Sequence, residues 1–254
     1  MEARPDSLAG KHALITGAGG GIGRAIAVEL AGRGAGTILV GRSADALEAT
    51  RAAVEAAGDA AEVLAGDVTG EDWLARLEGR PVDVLVNNAA AFAPYGVLEH
   101  VPDEAIDRVL ATIARAAIRS TRRFLPGMKQ RGFGRVIQIG SVAAHFGAQG
   151  QVAYAAAKSS LVGLTRSVSA EGARHGVTAN LVEPGLIDTE RVAATIEPEW
   201  QRLLLMNTAM GRMGRPEEVA CVVGFLASPC AGYVTGATIP VSGGFGLGLY
   251  PREA

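Results

Sequence analysis

Three residues with reactive side chains, Ser141, Tyr154 and Lys158, stand at spacings that could bring them together. Tyr154 and Lys158 are four positions apart in the segment YAAAK, so a helix would place both side chains on one face, one turn apart. Ser141 stands 13 positions before the tyrosine, at the end of the strand-like run RVIQIG. A hydroxyl, a phenol and an ammonium assembled in this way suit proton transfer to or from a carbonyl or alcohol oxygen.

A glycine-rich turn supplies an independent signal. The segment TGAGGGIG (16–23) follows the apolar run ALIT (13–16) and opens an amphipathic stretch that extends to Leu30. Its glycines let the backbone approach a pyrophosphate, and the next helix offers free N–H groups and a positive dipole end. The spacing is G-x-x-x-G-x-G, and such a turn alone could be a plain tight connection. Its position between strand and helix favours a bound dinucleotide.

The elements that must position these residues alternate along the chain. The strand-like runs are apolar throughout, which is typical of strands that helices cover on both faces. Alternating strands and helices predict right-handed crossovers in one parallel sheet. We therefore predict an α/β fold, a doubly wound Rossmann-type single domain over 1–254. The predicted strands are 13–16, 37–40, 61–65, 82–86, 135–140, 177–182 and 238–241; the predicted helices are 22–30, 44–58 (capped by Ser43), a short one at Trp73, 103–128, 151–174 and 216–227.

Composition and charge exclude several functional classes. The 254 residues carry a formal net charge of −2, which gives no basic footprint for nucleic acid and no polybasic patch for anionic lipid. The start MEARPDSLAG has no apolar signal core, and the apolar stretch near 219–227 is too short to span a bilayer. Two cysteines cannot build a disulfide framework. We expect a cytoplasmic protein without a nucleic-acid or membrane partner, and we assign no metal site.

Four motifs occur together in this chain: TGAGGGIG, NNAA (87–90), Ser141 with YAAAK, and PGLIDT (184–189). In order and spacing they resemble the short-chain dehydrogenase/reductase family, over about residues 8–245, and most of all its 3-oxoacyl-[acyl carrier protein] reductases and related alcohol dehydrogenases. The resemblance implies a seven-stranded sheet, a nicotinamide cofactor and a homotetramer packed through the long helices. It also implies hydride transfer between a ketone and a secondary alcohol, with a free or carrier-bound substrate and Tyr154 as general acid/base.

The resemblance assigns a set of residues to the cofactor. Where NAD-specific members carry an acidic residue, this chain has Gly41 followed by Arg42, whose guanidinium suits a 2′-phosphate. We therefore favour NADP(H) over NAD(H), although Arg42 could instead stack on adenine or face water, and a second basic residue within the turn is missing. The assigned cofactor-binding residues are Gly17, Gly19, Gly20, Gly21, Ile22, Gly23, Arg42, Asp67, Val68, Asn88, Ala89, Tyr154, Lys158, Pro184, Gly185, Ile187 and Thr189. By the same resemblance, Asp67 and Val68 should border the adenine, Asn88 and Ala89 the adenosine, and Ile187 and Thr189 the carboxamide and phosphates.

Roles around the substrate follow in the same way. Lys158 is expected to lower the pKa of Tyr154 and to hold ribose hydroxyls, while Ser141 orients the substrate oxygen. Gln151 resembles a substrate-lining residue but could equally cap the following helix. His145 could touch substrate or simply be exposed. The segment 190–212 resembles a mobile substrate lid, with some of its apolar residues expected in the core.

Two further features leave alternatives open. Arg131 and Arg174 resemble arginines that dock a carrier protein, although ordinary surface roles are favoured. The family's fourth catalytic residue, an Asn linked to a water chain that feeds protons to the lysine, is replaced by Ile113. Either another route carries the proton, or turnover is slower, or the protein no longer acts as an ordinary reductase. A catalytically silent cofactor-binding homologue, serving as a partner subunit or regulator, is therefore the alternative function.

Overall fold

The computed structural model describes residues 6–57 and 60–247, and these form one seven-stranded sheet with helices on both faces. Every neighbouring pair of strands is parallel, and the strand order is β3-β2-β1-β4-β5-β6-β7. The predicted fold class is confirmed. The strands are β1 (His12–Thr16), β2 (Gly36–Gly41), β3 (Ala61–Ala65), β4 (Val84–Asn87), β5 (Gly134–Ile139), β6 (Val177–Pro184) and β7 (Thr238–Val241).

Ten α-helical segments connect or follow the strands within the described residues, and several short 3₁₀ turns accompany them. The segments are α1 (Gly21–Gly32), α2 (Ala44–Ala56), α3 (Asp72–Ala75), α4 (Asp103–Leu110), α5 (Ala116–Arg131), α6 (Ala143–Phe146), α7 (Val152–Gly172), α8 (Glu190–Thr195), α9 (Pro198–Met206) and α10 (Pro216–Ala227). Ser43 caps α2 as predicted, since its hydroxyl accepts from the Ala46 N–H at 3.3 Å. Position 58, at the end of that predicted helix, lies outside the described residues.

Two apolar layers hold the sheet. On one face Ile15 and Val86 pack with residues of α1 and α10, such as Ile26 and Val223. On the other face Leu14, Leu85 and Val136 pack with α5 and α7 residues such as Phe124. Because successive strand residues point to opposite faces, uninterrupted apolar strands fill both layers. The strand order reverses between β1 and β4, which places a crevice at the carboxyl ends of these two strands.

The structure corrects two expectations about helices. The predicted single helix over 103–128 is α4 and α5 joined by a π-helical turn, Ala111–Arg115, in which the Ala116 N–H donates to the Ala111 carbonyl five residues earlier. The predicted lid segment forms α8 and α9, and neither helix buries a residue, so the expectation that some of its apolar side chains lie in the core is wrong. No helix in the described residues is both long and apolar enough to cross a membrane.

Candidate active site

The structure brings Ser141, Tyr154 and Lys158 together at the carboxyl end of β5. Tyr154 and Lys158 lie on α7 one turn apart, and the Lys158 ammonium is 5.6 Å from the centre of the Tyr154 ring. Ser141 follows β5 by two residues, and its hydroxyl lies close enough to Tyr154 to act on the pKa of the phenol. Its hydroxyl oxygen also accepts from the Ala143 N–H at 3.1 Å, which fixes the serine at the start of α6. Two hydroxyl groups therefore converge where a single carbonyl oxygen could meet both.

Burial dominates the acid–base properties of this cluster. Desolvation raises the pKa of Tyr154 to about 12, although the hydrogen bond from Ser141 and the charge of Arg191 act in the opposite direction. The sequence predicts a lowered tyrosine pKa, but burial outweighs the charges. A phenol with a raised pKa stays protonated at neutral pH and is ready to act as a proton donor.

Lys158 is 2% exposed, and desolvation followed by the charge of Arg191 lowers its pKa to about 7. Its Nζ donates to the carbonyl of Ile139 at 2.5 Å, which ties α7 to the end of β5. The lysine can therefore change protonation state near neutral pH, as a group that passes protons must.

The glycine turn forms a cradle that a side chain would fill. Gly17 has φ +67°, and a Cβ there would lie 2.9 Å from the Ala89 Cα. A Cβ on Gly23 would lie 2.2 Å from the Gly17 carbonyl oxygen. Gly20 starts α1 without any side-chain cap, so N–H groups of the first turn stay available, and a Cβ there would meet only open space. These features fit a pyrophosphate at the helix N-terminus.

Asn88 and Ala89 support this cradle from β4. The Asn88 side-chain amide donates to the carbonyls of Thr16 and Gly17, each at 3.0 Å. The Thr16 hydroxyl accepts from the backbone N–H groups of Asn88 and Ala89. The Asn88 amide therefore holds the glycine turn against the neighbouring strand, which gives the residue a structural role besides its predicted place near the adenosine.

The PGLIDT segment carries the chain from β6 to the other rim of the crevice. The Val142 N–H donates to the Pro184 carbonyl, and the Gly185 N–H donates to the Val241 carbonyl. Ile187 is buried beside Gly214. Thr189 caps α8 by accepting from the Val192 N–H at 3.2 Å, and its methyl group lies 3.1 Å from where a Gly21 Cβ would be. The start of the predicted lid is thus held against the glycine turn.

The predicted adenosine end lies beyond β2 and β3. Arg42 is exposed at the end of β2, and its charge reaches Asp67, which follows β3. The backbone N–H of Thr69 donates to the Asp67 carboxylate at 2.8 Å and, as the largest effect, lowers its pKa. Val68 is buried next to it. The structure therefore brings the predicted adenosine residues to one edge of the crevice.

Ile113 lies where the missing amide was expected, in the π-helical turn facing Lys158. It is 2% exposed and packs with Val109 and Leu161. It also lines a cavity of about 10 Å³ that Thr16, Asn87 and Lys158 share. This volume is close to the minimum that admits one water, which needs polar partners of the kind found here.

Gln151 and His145 differ in their placement. Gln151 stands at the N-cap of α7, but its side chain caps nothing: Nε2 donates to the Ala93 carbonyl at 3.1 Å. Its Oε1 is buried without a partner among the described residues. The capping alternative is therefore wrong, and substrate contact stays a prediction. His145 is exposed on α6 and contacts Phe146 edge to face.

Three residues near this cluster were not predicted from the sequence. Phe92 stacks on Tyr154 with 4.5 Å between ring centres, and Arg191 lies 5.5 Å from the centre of the Phe92 ring. Glu183, next to Pro184 on β6, is 3% exposed, and burial raises its pKa although His145 lowers it. Their closeness to known motifs was the only available signal, since Phe92 follows NNAA and Arg191 follows PGLIDT.

Comparison with known proteins agrees with this geometry. The family model described as Enoyl-(Acyl carrier protein) reductase matches residues 17–246. A 3-oxoacyl-[acyl-carrier-protein] reductase of Pseudomonas aeruginosa is 42% identical over 94% of this chain and 98% of its own length.

Two solved structures share the whole fold. One is a 3-oxoacyl (acyl-carrier-protein) reductase of Agrobacterium tumefaciens C58 with NADP bound, with a TM-score of 0.90 and 35% identity over 96% of this chain and 98% of that chain. The other is a levodione reductase, with a TM-score of 0.88 and 32% identity over 93% of this chain and 97% of that chain. Nothing in these comparisons favours the catalytically silent alternative. The chain belongs to the short-chain dehydrogenase/reductase family and is an oxidoreductase that interconverts carbonyl and alcohol groups with a nicotinamide cofactor.

Proposed function

We propose that Tyr154, Ser141 and Lys158 are the catalytic residues of an NADP(H)-dependent ketoreductase. The observation that carries the proposal is the convergence of the Ser141 hydroxyl and the Tyr154 phenol beside the buried Lys158. The nicotinamide, when bound, supplies or accepts the hydride. The glycine cradle at α1 would hold its pyrophosphate, and Thr189 lies at the same rim of the crevice.

Each side chain has one task in this scheme. Ser141 donates a hydrogen bond to the substrate oxygen and stabilises the charge that develops there. Tyr154 gives its phenolic proton to that oxygen during reduction and takes it back during oxidation. Lys158, with its pKa lowered to about 7, can return a proton towards the tyrosine. The cavity beside Ile113 has room for a water next to the Lys158 ammonium, which would offer a proton route without the amide.

NADP(H) is proposed over NAD(H) because Arg42 brings a guanidinium to the end of β2, where NAD-specific members of the family carry an acidic residue. Arg42 is exposed there, and Gly41 before it has no side chain. The bound NADP of the Agrobacterium relative supports the choice. A cytoplasmic location, the single domain over 1–254 and the substrate lid over 190–212 also stay proposals.

The substrate class is open between carrier-bound and free ketones. The Pseudomonas relative is named for an acyl-carrier-protein substrate, whereas levodione reductase is named for a free ketone. Arg131, one of two candidate docking arginines, is ion-paired to Asp83 at 3.0 Å and donates to the Val82 carbonyl, so its guanidinium is already engaged. Arg174 is exposed.

The direct test is a substrate panel with the purified chain and NADPH. Ketone reduction, seen as loss of NADPH absorbance and as alcohol formation by mass spectrometry, is expected. The panel includes a 3-oxoacyl thioester, free ketones and an enoyl thioester, because the matching family model is named for enoyl reduction. Reduction of the enoyl compound alone, or of no compound despite NADPH binding, would contradict the proposal.

A further inference from the structure

Arg191 belongs to α8, the first helix of the predicted lid, yet its guanidinium lies beside the catalytic cluster. Its Nη1 donates to the Ala90 carbonyl at 3.4 Å, and its Cζ lies 5.5 Å from the centre of the Phe92 ring. Phe92 in turn stacks on Tyr154. Arg191, Phe92 and Tyr154 therefore form one continuous run of contacts from the lid to the phenol.

The charge of Arg191 is not paired with any acidic side chain in the part of the chain that the structure describes. None of the ion pairs among residues 6–57 and 60–247 includes it, although Asp188 and Glu190 are close in sequence. Its field nevertheless reaches the site, since it lowers the pKa of both Tyr154 and Lys158. The mouth of the site thus carries an exposed cation near a buried amine, and no carboxylate of the described residues forms an ion pair with either.

An exposed guanidinium with free N–H donors is suited to binding an anionic ligand. The one hydrogen bond that the guanidinium makes within the described residues is long, so most of its N–H donors stay available. Contact with an aromatic ring orients the guanidinium, which can then bind a carboxylate through two parallel hydrogen bonds. A lysine in the same place would lack this geometry.

We propose that Arg191 is a specificity-determining residue that binds the carboxylate of the substrate. The inference rests on the proposed function and narrows its substrate class. Because Arg191 reaches the catalytic phenol through one aromatic ring, the anion must lie a few bonds from the reacting carbonyl. Small oxo acids and the matching hydroxy acids meet this requirement. An acyl thioester is neutral next to its keto group and does not.

The placement of Arg191 argues against the cofactor pyrophosphate as this anion. The cradle for the pyrophosphate is at the start of α1, where the methyl group of Thr189 approaches Gly21. Arg191 instead points to Phe92, in the segment whose Ala93 carbonyl accepts from Gln151. This segment therefore contacts both Tyr154 and Gln151, the predicted substrate-lining residue.

The experiment compares Arg191→Met and Arg191→Lys with wild type on a matched pair of ketones, acetoacetate and ethyl acetoacetate, with NADPH. The control is Arg202→Met, which removes another exposed lid arginine, on α9. Steady-state kinetics give KM and kcat for each ketone. Fluorescence titration gives the Kd of NADPH, and calorimetry gives the binding of acetoacetate to each protein in the presence of NADP⁺.

For Arg191→Met we expect KM for acetoacetate to rise about 10- to 100-fold, as for loss of a charged hydrogen bond. KM for the ester and the Kd of NADPH should stay within about twofold of wild type, and Arg191→Lys should fall between. Equal losses on acid and ester, or weaker NADPH binding that accounts for the loss, would overturn the proposal. So would a wild type that does not bind acetoacetate.

The two proposals fail separately in this design. If wild type reduces neither ketone but binds acetoacetate in an Arg191-dependent manner, the proposed reductase function is wrong and the anion site stands. If wild type reduces the ester well and the acid poorly, the reductase stands and the anion site is wrong.

Discussion

At the scale of single residues, burial rather than charge sets the chemistry of this site. Burial raises the pKa of Tyr154 and lowers the pKa of Lys158, because it disfavours the charged form of each side chain. At neutral pH the phenol therefore holds its proton, and the amine titrates. Arg191 assists by favouring the phenolate and disfavouring the ammonium.

The lowered pKa of Lys158 predicts a particular pH dependence of stability for the cofactor-free protein. Between the folded pKa of about 7 and the unfolded value of 10.5, the unfolded chain binds more protons, so stability rises with pH in this window. The slope from this one group approaches about 1.4 kcal/mol per pH unit. We expect wild type to gain stability relative to Lys158→Met between pH 7 and pH 10, measured by urea unfolding. A difference between the two proteins that does not change with pH would contradict the shifted pKa.

The position of Arg42 predicts that the enzyme selects NADPH over NADH. Arg42→Ala should weaken NADPH binding about 10- to 100-fold, because a charged hydrogen-bond partner of the 2′-phosphate is lost. NADH binding should change little, and calorimetry measures both. Arg51→Ala, which removes an arginine paired with Glu48 on α2, is the control and should leave both affinities intact. Equal weakening of NADPH and NADH would show that Arg42 does not read the phosphate.

At the scale of elements, the helices position the site more specifically than the sequence alone indicates. The YAAAK segment could be placed correctly because a four-residue spacing defines a helix face. The π-helical turn at Ala111–Arg115 could not, because its apolar residues fit an ordinary helix equally well. The contacts of Phe92 and Arg191 were also out of reach, since they join segments about a hundred positions apart that only the folded sheet brings together.

Ile113 in the π-helical turn allows the proposed proton route to be tested. Ile113→Asn places an amide at the cavity shared with Lys158, where it can hydrogen-bond to a water or to the ammonium. We expect kcat to rise about fivefold, the gain from roughly one hydrogen bond. Unfolding free energy should fall by about 2–4 kcal/mol, since an amide replaces a buried isoleucine. Ile113→Val, which stays apolar, should leave kcat unchanged. A lower kcat for the Asn variant would mean that the site is built around isoleucine.

At the scale of the whole molecule, a single parallel sheet could be predicted because strands that helices cover on both faces are apolar throughout. The order of its strands could not be predicted from their composition. The outer surface is less informative, since exposed apolar residues are common on monomers and oligomers alike. Leu110 and Ile118 nevertheless lie exposed on the long helices that the family resemblance assigns to subunit packing.

The family resemblance predicts a tetramer that packs through this surface. Sedimentation should show a species of about four times the 26.0 kDa chain mass. Ile118→Glu, which places charges at the proposed contact, should shift the protein to smaller species. Ala52→Glu on α2, away from the long helices, is the control and should leave the tetramer intact. A wild type that sediments as a monomer, or an Ile118→Glu variant indistinguishable from it, would contradict the proposed assembly.

If the phenol of Tyr154 transfers the proton at the reacting oxygen, Tyr154→Phe should remove that transfer and little else. The substitution removes one oxygen and keeps the ring that stacks on Phe92. We expect kcat for ketone reduction with NADPH to fall by about 10²- to 10⁴-fold. The Kd of NADPH, measured on the same preparation, should stay nearly unchanged. A Tyr154→Phe enzyme with wild-type kcat would show that the phenol does not transfer this proton.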